Sequence, residues 1–256
     1  MENHRFYLST IAADAAGTAR QYALGLEIAE YCTACNMDEY FPETDAAVRE
    51  KLAGIARVTL HAPFNELFPC AIDPRARVLA ADRFREAIAL AKGYGAEKIV
   101  IHGGYNPQMY YPCWYTEQSA LFWKDFLRED PGVDIVLENV LEEEPEYLLD
   151  IVRSADHPRL GLCLDIGHVN AYSAVPVIEW LKHFAPYLRH FHLHNNDGSF
   201  DAHAPLDEGS IPMKEFLQRA LALCPAATFT LELQEDTARG ARLLLENGFI
   251  TKETNT

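Results

Sequence analysis

The sequence has few basic residues and no long apolar stretch. It contains 22 lysines and arginines against 38 aspartates and glutamates, which gives a formal net charge of −16. A surface this acidic should repel nucleic acid and anionic membranes on average. No segment is as long and apolar as a membrane span, and the first residues lack a basic stretch followed by an apolar run. We therefore expect neither a membrane span nor a signal peptide.

Paired cysteines and a glycine-rich phosphate loop are also lacking. The six cysteines are mostly scattered, in the manner of reduced thiols, so we expect a cytoplasmic protein. Cys32 and Cys35 form one CxxC motif without a second pair, which supports a zinc or redox role only weakly. No G-x-G-x-x-G motif follows the first apolar segment, and this absence argues against a dinucleotide-binding fold.

Apolar segments and helix-period segments alternate eight times along the chain. The predicted strands lie near residues 6–9, 26–31, 58–61, 99–102, 135–138, 161–165, 190–194 and 228–232. The predicted helices span 14–23, 44–56, 75–94, 116–128, 144–154, 175–185, 212–223 and 236–247. This alternation predicts an α/β protein with a single domain over residues 1–256, a (β/α)₈ TIM barrel. A doubly wound open sheet is the alternative.

Six successive predicted strands end in a histidine or an acidic residue. In chain order these residues are His61, His102, Glu138, Asp165, the ladder His190, His192 and His194, and Glu232. The carboxyl ends of the strands of a barrel meet at one rim, so we expect these side chains to form one cluster. Imidazole and carboxylate groups together are typical ligands of zinc, manganese or iron. The sequence therefore predicts a divalent-metal site at that rim.

Two other segments could extend this site. Glu27 and Glu30 lie near the end of the second strand, although surface charge explains one of them equally well. Residues 103–117 form an aromatic segment after the fourth strand, which we interpret as a wall or lid over a small polar ligand, or equally as a packed loop or an oligomer contact.

Several short motifs, in this order, carry a resemblance to a known superfamily. They are LHAPF, IHGG, LEN, LDIGH, HLHNND, DAH and LEL, within residues 5–247. With them the sequence resembles the xylose isomerase-like TIM-barrel superfamily, which includes endonuclease IV and many isomerases and epimerases of sugars and sugar phosphates.

The resemblance implies a ligand set. The isomerases and epimerases hold one divalent ion with four groups, which here would be Glu138, Asp165, His192 and Glu232. His194 shares a strand face with His192 and could replace it. Endonuclease IV binds two more ions, for which His61 and His102 would join Glu138, while His168, Asp201 and His203 would form the third site. One to three ions, zinc or manganese, are therefore expected.

Two functions follow from this set. The first is a metal-dependent isomerase or epimerase of a sugar or sugar phosphate, in which Glu138 and Glu232 would be the catalytic residues that exchange a proton next to a carbonyl. The alternative is a multinuclear zinc phosphoester hydrolase of the endonuclease IV type. The net charge and a rim poor in arginine and lysine favour the first, with a small-molecule substrate and no nucleic-acid or membrane partner. The sequence favours no particular oligomeric state.

Overall fold

Eight parallel strands form a closed barrel in the computed structural model, which describes residues 3–252. The strands are β1 (Phe6–Ser9), β2 (Gly25–Ile28), β3 (Val58–His61), β4 (Lys98–His102), β5 (Asp134–Glu138), β6 (Leu160–Asp165), β7 (Leu188–Leu193) and β8 (Thr228–Leu231). Each strand pairs with the next along the chain, and β8 pairs with β1. The predicted (β/α)₈ barrel is confirmed, and the open-sheet alternative is wrong because the sheet has no edge.

The described residues contain nine α-helices, arranged around the barrel. They are α1 (Ala15–Tyr22), α2 (Phe41–Leu52), α3 (Pro74–Gly93), α4 (Pro112–Phe126), α5 (Glu146–Ala155), α6 (Ile166–Tyr172), α7 (Val177–Phe184), α8 (Met213–Leu223) and α9 (Thr237–Glu246). Local sequence sets several of their starts. Pro74 and Pro112 occupy the first turn, where a missing N–H costs nothing, and the Asp73 side chain caps α3 through the Arg75 amide.

The bounds of several elements differ from the predicted ones by a few residues, as in α2, α4 and β7, and two differences affect the site. Strand β2 ends at Ile28, since residues Glu30–Cys32 form a 3₁₀ turn. Helix α6 follows β6 directly and was not predicted. It has only seven residues and no apolar period, and it begins because the Asp165 side chain accepts a hydrogen bond from the His168 amide at 2.7 Å.

The two faces of the barrel strands pack differently. Outward side chains such as Leu26, Ile99 and Phe229 are fully buried against the helices in one large apolar cluster. Inside the barrel, only Val100, Val136 and Cys163 form a small separate apolar cluster. The remaining interior positions are mainly polar, and the strand register places them beside one another, as in the pair Glu27 and Thr59. The barrel therefore encloses buried polar groups below its carboxyl rim.

No helix within residues 3–252 is long and apolar enough to cross a membrane. The six cysteines are free, and Cys32 and Cys35 are both half-buried.

Candidate metal centre

The carboxyl ends of the strands surround a cavity of about 520 Å³. Seven of the nine residues that the sequence predicts as ligands line it, and the other two, Asp165 and His192, are buried beside them. The nine fall into three adjoining groups. In each group the potential ligand atoms lie within 4.8 Å of one another. The groups are Glu138, Asp165, His192 and Glu232; His61, His102 and Glu138; and His168, Asp201 and His203 together with His194. The predicted clustering is therefore observed, while the role of these residues as ligands stays a prediction.

The first group is centred on the imidazole of His192. Its Nδ1 lies 3.0 Å from Glu138 Oε1, 3.2 Å from Glu232 Oε2 and 3.8 Å from Asp165 Oδ2. His192 and Asp165 are fully buried, and Glu138 and Glu232 line the cavity. Asn139 links the strands beneath, because its side-chain amide bonds both the carbonyl and the amide of Asp165 at 2.9 Å. Three carboxylates and one imidazole thus converge at the cavity floor.

The second group shares Glu138 with the first. Glu138 Oε2 lies 3.1 Å from His61 Nε2 and 3.5 Å from His102 Nε2. His61 donates from Nδ1 to the Ala62 carbonyl at 2.8 Å, which leaves Nε2 turned to the cavity. The ring of Phe64 stacks on His102 at 4.3 Å and limits the positions that this imidazole can take.

The third group is held by Asp201. Its carboxylate lies 3.0 Å from His203 Nε2, 3.3 Å from His168 Nε2 and 3.5 Å from His194 Nε2. His194 therefore belongs here and not beside Glu232, although its Nε2 also contacts Asp165 at 3.1 Å. His203 has a positive φ of 46°, a strained conformation for a residue with a side chain. His194 packs against α6, where a Cβ on Gly167 would lie 1.8 Å from the His194 ring.

The donor set fits divalent metal ions. It consists of imidazole nitrogens and carboxylate oxygens, the ligands that zinc and manganese accept in proteins. One buried atom of the third group, Asp201 Oδ1, has no hydrogen-bond partner among the described residues. Buried polar atoms normally have a partner, and a cation bound by this group would supply one.

The cluster shifts the pKa values of its own members. Burial raises the pKa of Glu138, but His192 and His102 lower it more, so the net value is well below the usual range. Burial also raises the pKa of Glu232, but His192 lowers it more, and the resulting value is about 2. Burial lowers the pKa of His102 to about 3. Both glutamates are therefore ionised, and His102 is neutral, at physiological pH.

His168 and His203 are shifted in the opposite direction. Burial lowers the pKa of His168, but Asp165 and Asp201 outweigh it and bring the value to about 10. Asp201 and Glu232 act against burial in the same way at His203, whose pKa is about 9. The third group therefore carries protonated imidazoles at neutral pH when no cation balances its carboxylates.

Sequence reasoning missed part of the cavity wall. Lys51 reaches into it from α2, where its Nζ contacts Glu30 Oε1 at 2.7 Å and donates to the Thr10 carbonyl at 3.2 Å. Thr10 in turn donates to Glu30 Oε2 at 2.6 Å. Cys32 also lines the cavity, close enough to His61 to raise the pKa of that imidazole against the effect of burial. No motif joins these residues, because they come from separate segments.

The aromatic segment 103–117 does not form a wall of the cavity. Its second part is helix α4, which begins at Pro112, so the prediction of a loop as far as residue 117 is wrong. Tyr115 is fully buried and donates to Glu142 at 2.6 Å, while Trp114 donates to the Cys70 carbonyl at 2.9 Å. The packed-segment interpretation is therefore the one that the structure supports.

Known proteins resemble this chain in sequence and in structure. Uncharacterized protein MJ1311 of Methanocaldococcus jannaschii is 34% identical over 177 residues, which cover 63% of this chain and 59% of that protein. A structure described as a D-tagatose 3-epimerase-like protein superposes with a TM-score of 0.78 and 25% identity, covering 96% of this chain and 97% of the other. The TTHB071 protein from Thermus thermophilus, in a crystal soaked with ZnCl₂, gives a TM-score of 0.76 and 25% identity over 98% of this chain and all of its own.

A sequence model of one family matches residues 20–249, which is most of the chain. Its description agrees with the observed barrel. The chain belongs to the xylose isomerase-like TIM barrel family.

Proposed function

We propose that this protein is a divalent-metal-dependent isomerase or epimerase that acts on a sugar or sugar phosphate. The observation that carries the proposal is the pair of glutamates, Glu138 and Glu232, that line the cavity with their carboxylates 3.0 Å and 3.2 Å from His192 Nδ1. The similarity to a D-tagatose 3-epimerase-like structure and to a zinc-soaked structure supports it.

Glu138, Asp165, His192 and Glu232 would hold the ion. When bound there, a divalent ion polarises a carbonyl and makes the hydrogen on the neighbouring carbon more acidic. The protein supplies the proton transfer. The lowered pKa values keep Glu138 and Glu232 ionised, and an ionised carboxylate can accept the proton of that carbon once the bound ion has made it more acidic. Inversion of the carbon requires the other glutamate to have taken up a proton from water beforehand, which it then delivers to the opposite face. Isomerisation requires the first glutamate to return its proton to the adjacent carbon while the hydroxyl proton moves to the former carbonyl oxygen.

The cavity suits a small polyhydroxylated molecule. Its volume of about 520 Å³ lies within the range of small-molecule sites, and polar groups dominate its floor. Lys51 is the single lysine or arginine among its described lining residues, and it is paired with Glu30. A nucleic-acid backbone needs several cations for binding, so this wall favours a small substrate over DNA.

One observation favours a second candidate, a multinuclear phosphoester hydrolase. Three adjoining ligand groups share Glu138 or contact one another through Asp165, which is more than one ion requires. Closely spaced ions can activate water and stabilise a phosphoryl group. In this alternative, His61 and His102 would hold a second ion, and His168, Asp201 and His203 a third.

Two assays on one preparation separate the candidates. Keto- and aldo-sugars and their phosphates are incubated in D₂O with the zinc- or manganese-loaded protein, and deuterium uptake next to the carbonyl is followed by NMR. We expect uptake that disappears in Glu138→Gln and Glu232→Gln. An abasic-site oligonucleotide and small phosphoesters are the second panel. Cleavage that requires His168 and Asp201, without deuterium uptake on any sugar, would overturn the proposal in favour of the hydrolase.

A further inference from the structure

His192 differs from the other cavity histidines in what lies behind its ring. His61, His168 and His203 each donate from Nδ1 to a backbone carbonyl at 2.8 to 2.9 Å, so each turns Nε2 toward the cavity. His192 is reversed. Its Nδ1 faces the carboxylates of the first group, while Nε2 points into the barrel. A carboxylate, and not a carbonyl, lies behind it.

That carboxylate is Glu27 of strand β2. Its Oε1 lies 3.0 Å from His192 Nε2, at ion-pair distance but without the alignment of a hydrogen bond. Neither atom has a hydrogen-bond partner among the described residues, and both side chains are completely buried. A carboxylate oxygen of Glu27 and a ring nitrogen of His192 therefore face each other, and neither has another hydrogen-bond partner among the described residues.

Neighbouring hydroxyls hold Glu27 in place through its other oxygen. Oε2 accepts hydrogen bonds from Thr59 at 3.0 Å and from Thr230 at 3.1 Å, and it lies 3.1 Å from His190 Nε2. These partners come from β3, β8 and β7, so they approach from three sides of the barrel. With Oε2 fully occupied, Oε1 is left facing His192.

The contacts continue toward the amino end of the barrel. His190 Nδ1 lies 2.6 Å from Thr228 Oγ1, which accepts a hydrogen bond from Lys98 Nζ at 2.7 Å. We call Lys98, Thr228, His190, Glu27 and His192 the interior polar column. A buried carboxylate is costly unless it is paired, and the interior of a barrel is usually filled with apolar side chains. The column is therefore expected to have a role that apolar packing cannot fill.

We propose that Glu27 is a positioning residue, which keeps the proton of His192 on Nε2 and so presents the Nδ1 lone pair to the ion of the first group. The inference rests on the proposed metal site. A neutral imidazole has one N–H and one lone pair, and a carboxylate behind the N–H fixes both the tautomer and the ring orientation. Carboxylates behind metal-binding histidines typically contribute 10–100-fold to metal affinity.

The test compares Glu27→Gln with Glu142→Gln, a second buried glutamate whose hydrogen bonds are to Tyr115 and Val140. Zn²⁺ and Mn²⁺ are titrated separately into chelator-stripped protein by calorimetry. We expect Glu27→Gln to lower the affinity of the first group for its ion by about 10–100-fold. Glu142→Gln should lower thermal stability and leave both affinities within about twofold, which controls for the general cost of altering a buried carboxylate.

A spectroscopic readout separates positioning from a merely structural role. In protein with ¹⁵N-labelled histidine, the His192 signals are assigned from their loss in His192→Gln. In the zinc-loaded wild type, His192 should carry its proton on Nε2, with the N–H signal shifted downfield by the Glu27 carboxylate, and in Glu27→Gln this signal should move upfield. The loaded form is measured because, without an ion, Nδ1 bonds Glu138 Oε1 at 3.0 Å and carries a proton of its own. Thr59→Val, which removes one donor to Glu27 and keeps the carboxylate, serves if Glu27→Gln does not fold. It should weaken metal binding in the same direction and by less.

The proposal is overturned if Glu27→Gln folds and binds both metals as the wild type does, or if the Nε2–H signal of its zinc-loaded His192 is unchanged. It is also overturned if His190→Gln removes one bound ion, because Glu27, His190 and His192 would then form a metal site of their own. These results do not depend on turnover. Metal binding that depends on Glu27, without deuterium uptake on any sugar, would reject the proposed function and leave this inference intact.

Discussion

The outer and inner faces of the same eight strands carry different chemistry. On the outer face, Phe229 stacks between Phe191 at 4.6 Å and Phe6 at 5.1 Å, within the apolar layer that the helices cover. One residue further, Thr230 points into the barrel and bonds Glu27 and His190. Both residues are completely buried, so burial alone does not distinguish them.

This difference separates what holds the fold from what prepares the site. Apolar contacts on the outer face contribute free energy in proportion to buried area and need no particular polar partner. Polar groups on the inner face contribute little net stability, and each depends on a specific neighbour. Substitutions on the outer face should therefore change only the free energy of unfolding, and those on the inner face should change metal binding and turnover as well.

The largest effect is expected where the inner face reaches the cavity. Glu138→Gln removes a carboxylate that contacts His61, His102 and His192. We expect metal content to fall below one ion per chain and turnover to fall about 10²–10⁴-fold, because a ligand and a proton acceptor are lost together. Elemental analysis and the deuterium-uptake assay measure the two losses. Glu117→Gln on exposed α4 is the control, and full metal content in Glu138→Gln would contradict the prediction.

Adjacent residues of β8 provide a direct test of the difference between the outer and inner faces of the barrel strands. Phe229→Ala should lower the free energy of unfolding by about 3–5 kcal/mol, with unchanged metal stoichiometry in the protein that remains folded. Thr230→Val should cost about 1–3 kcal/mol, because it removes a donor to the buried Glu27 carboxylate. It should also weaken metal binding. Denaturant titration and metal calorimetry on both variants measure these effects, and equal metal affinity in the two would remove the distinction between the faces.

Much of the fold and of the candidate site could be predicted from sequence. Runs such as Ile99–Ile101 are apolar on both strand faces, as expected of parallel strands covered by helices, and polar residues follow six of the predicted strands. The alternation of His190, His192 and His194 also predicted a shared face. Their division between two ligand groups could not be predicted, because it depends on where β6 and the loop with Asp201 place their carboxylates.

Two other features depended on tertiary contacts. Helix α6 is set by the Asp165 cap and not by an apolar period, so no periodic signal marks it. Glu27 and Glu30 were both predicted as possible extensions of the site, with surface charge an equal explanation for one of them. Leu26 and Ile28 on either side of Glu27 face the helices. A polar residue between two such neighbours must face the barrel interior, and this signal could have identified it.

The pH dependence of metal binding tests the third ligand group of the cavity. His168 and His203, with pKa values of about 10 and about 9, are protonated at pH 7. A cation bound by the third group must displace those protons, so its binding should release up to about two protons at pH 7 and strengthen as the pH rises toward about 10. Calorimetry in two buffers of different ionisation enthalpy counts the protons. Release of none at pH 7 would mean that no ion binds through these imidazoles.

The smallest effect is expected at the cavity rim, where the side chains are partly exposed and belong to neither face of the barrel strands. Lys51 and Glu30 are partly exposed, so the loss of their ion pair in Lys51→Met should change the free energy of unfolding by less than about 1 kcal/mol. Metal content should stay the same, because neither side chain belongs to the three ligand groups.

KM should rise by about tenfold or less with kcat unchanged, since the substitution alters a wall that contacts substrate equally in the ground and transition states. Steady-state kinetics with a sugar that the protein converts measures KM and kcat, with Glu30→Gln as the matched variant. A fall in kcat at constant KM would instead place Lys51 at the reacting atoms.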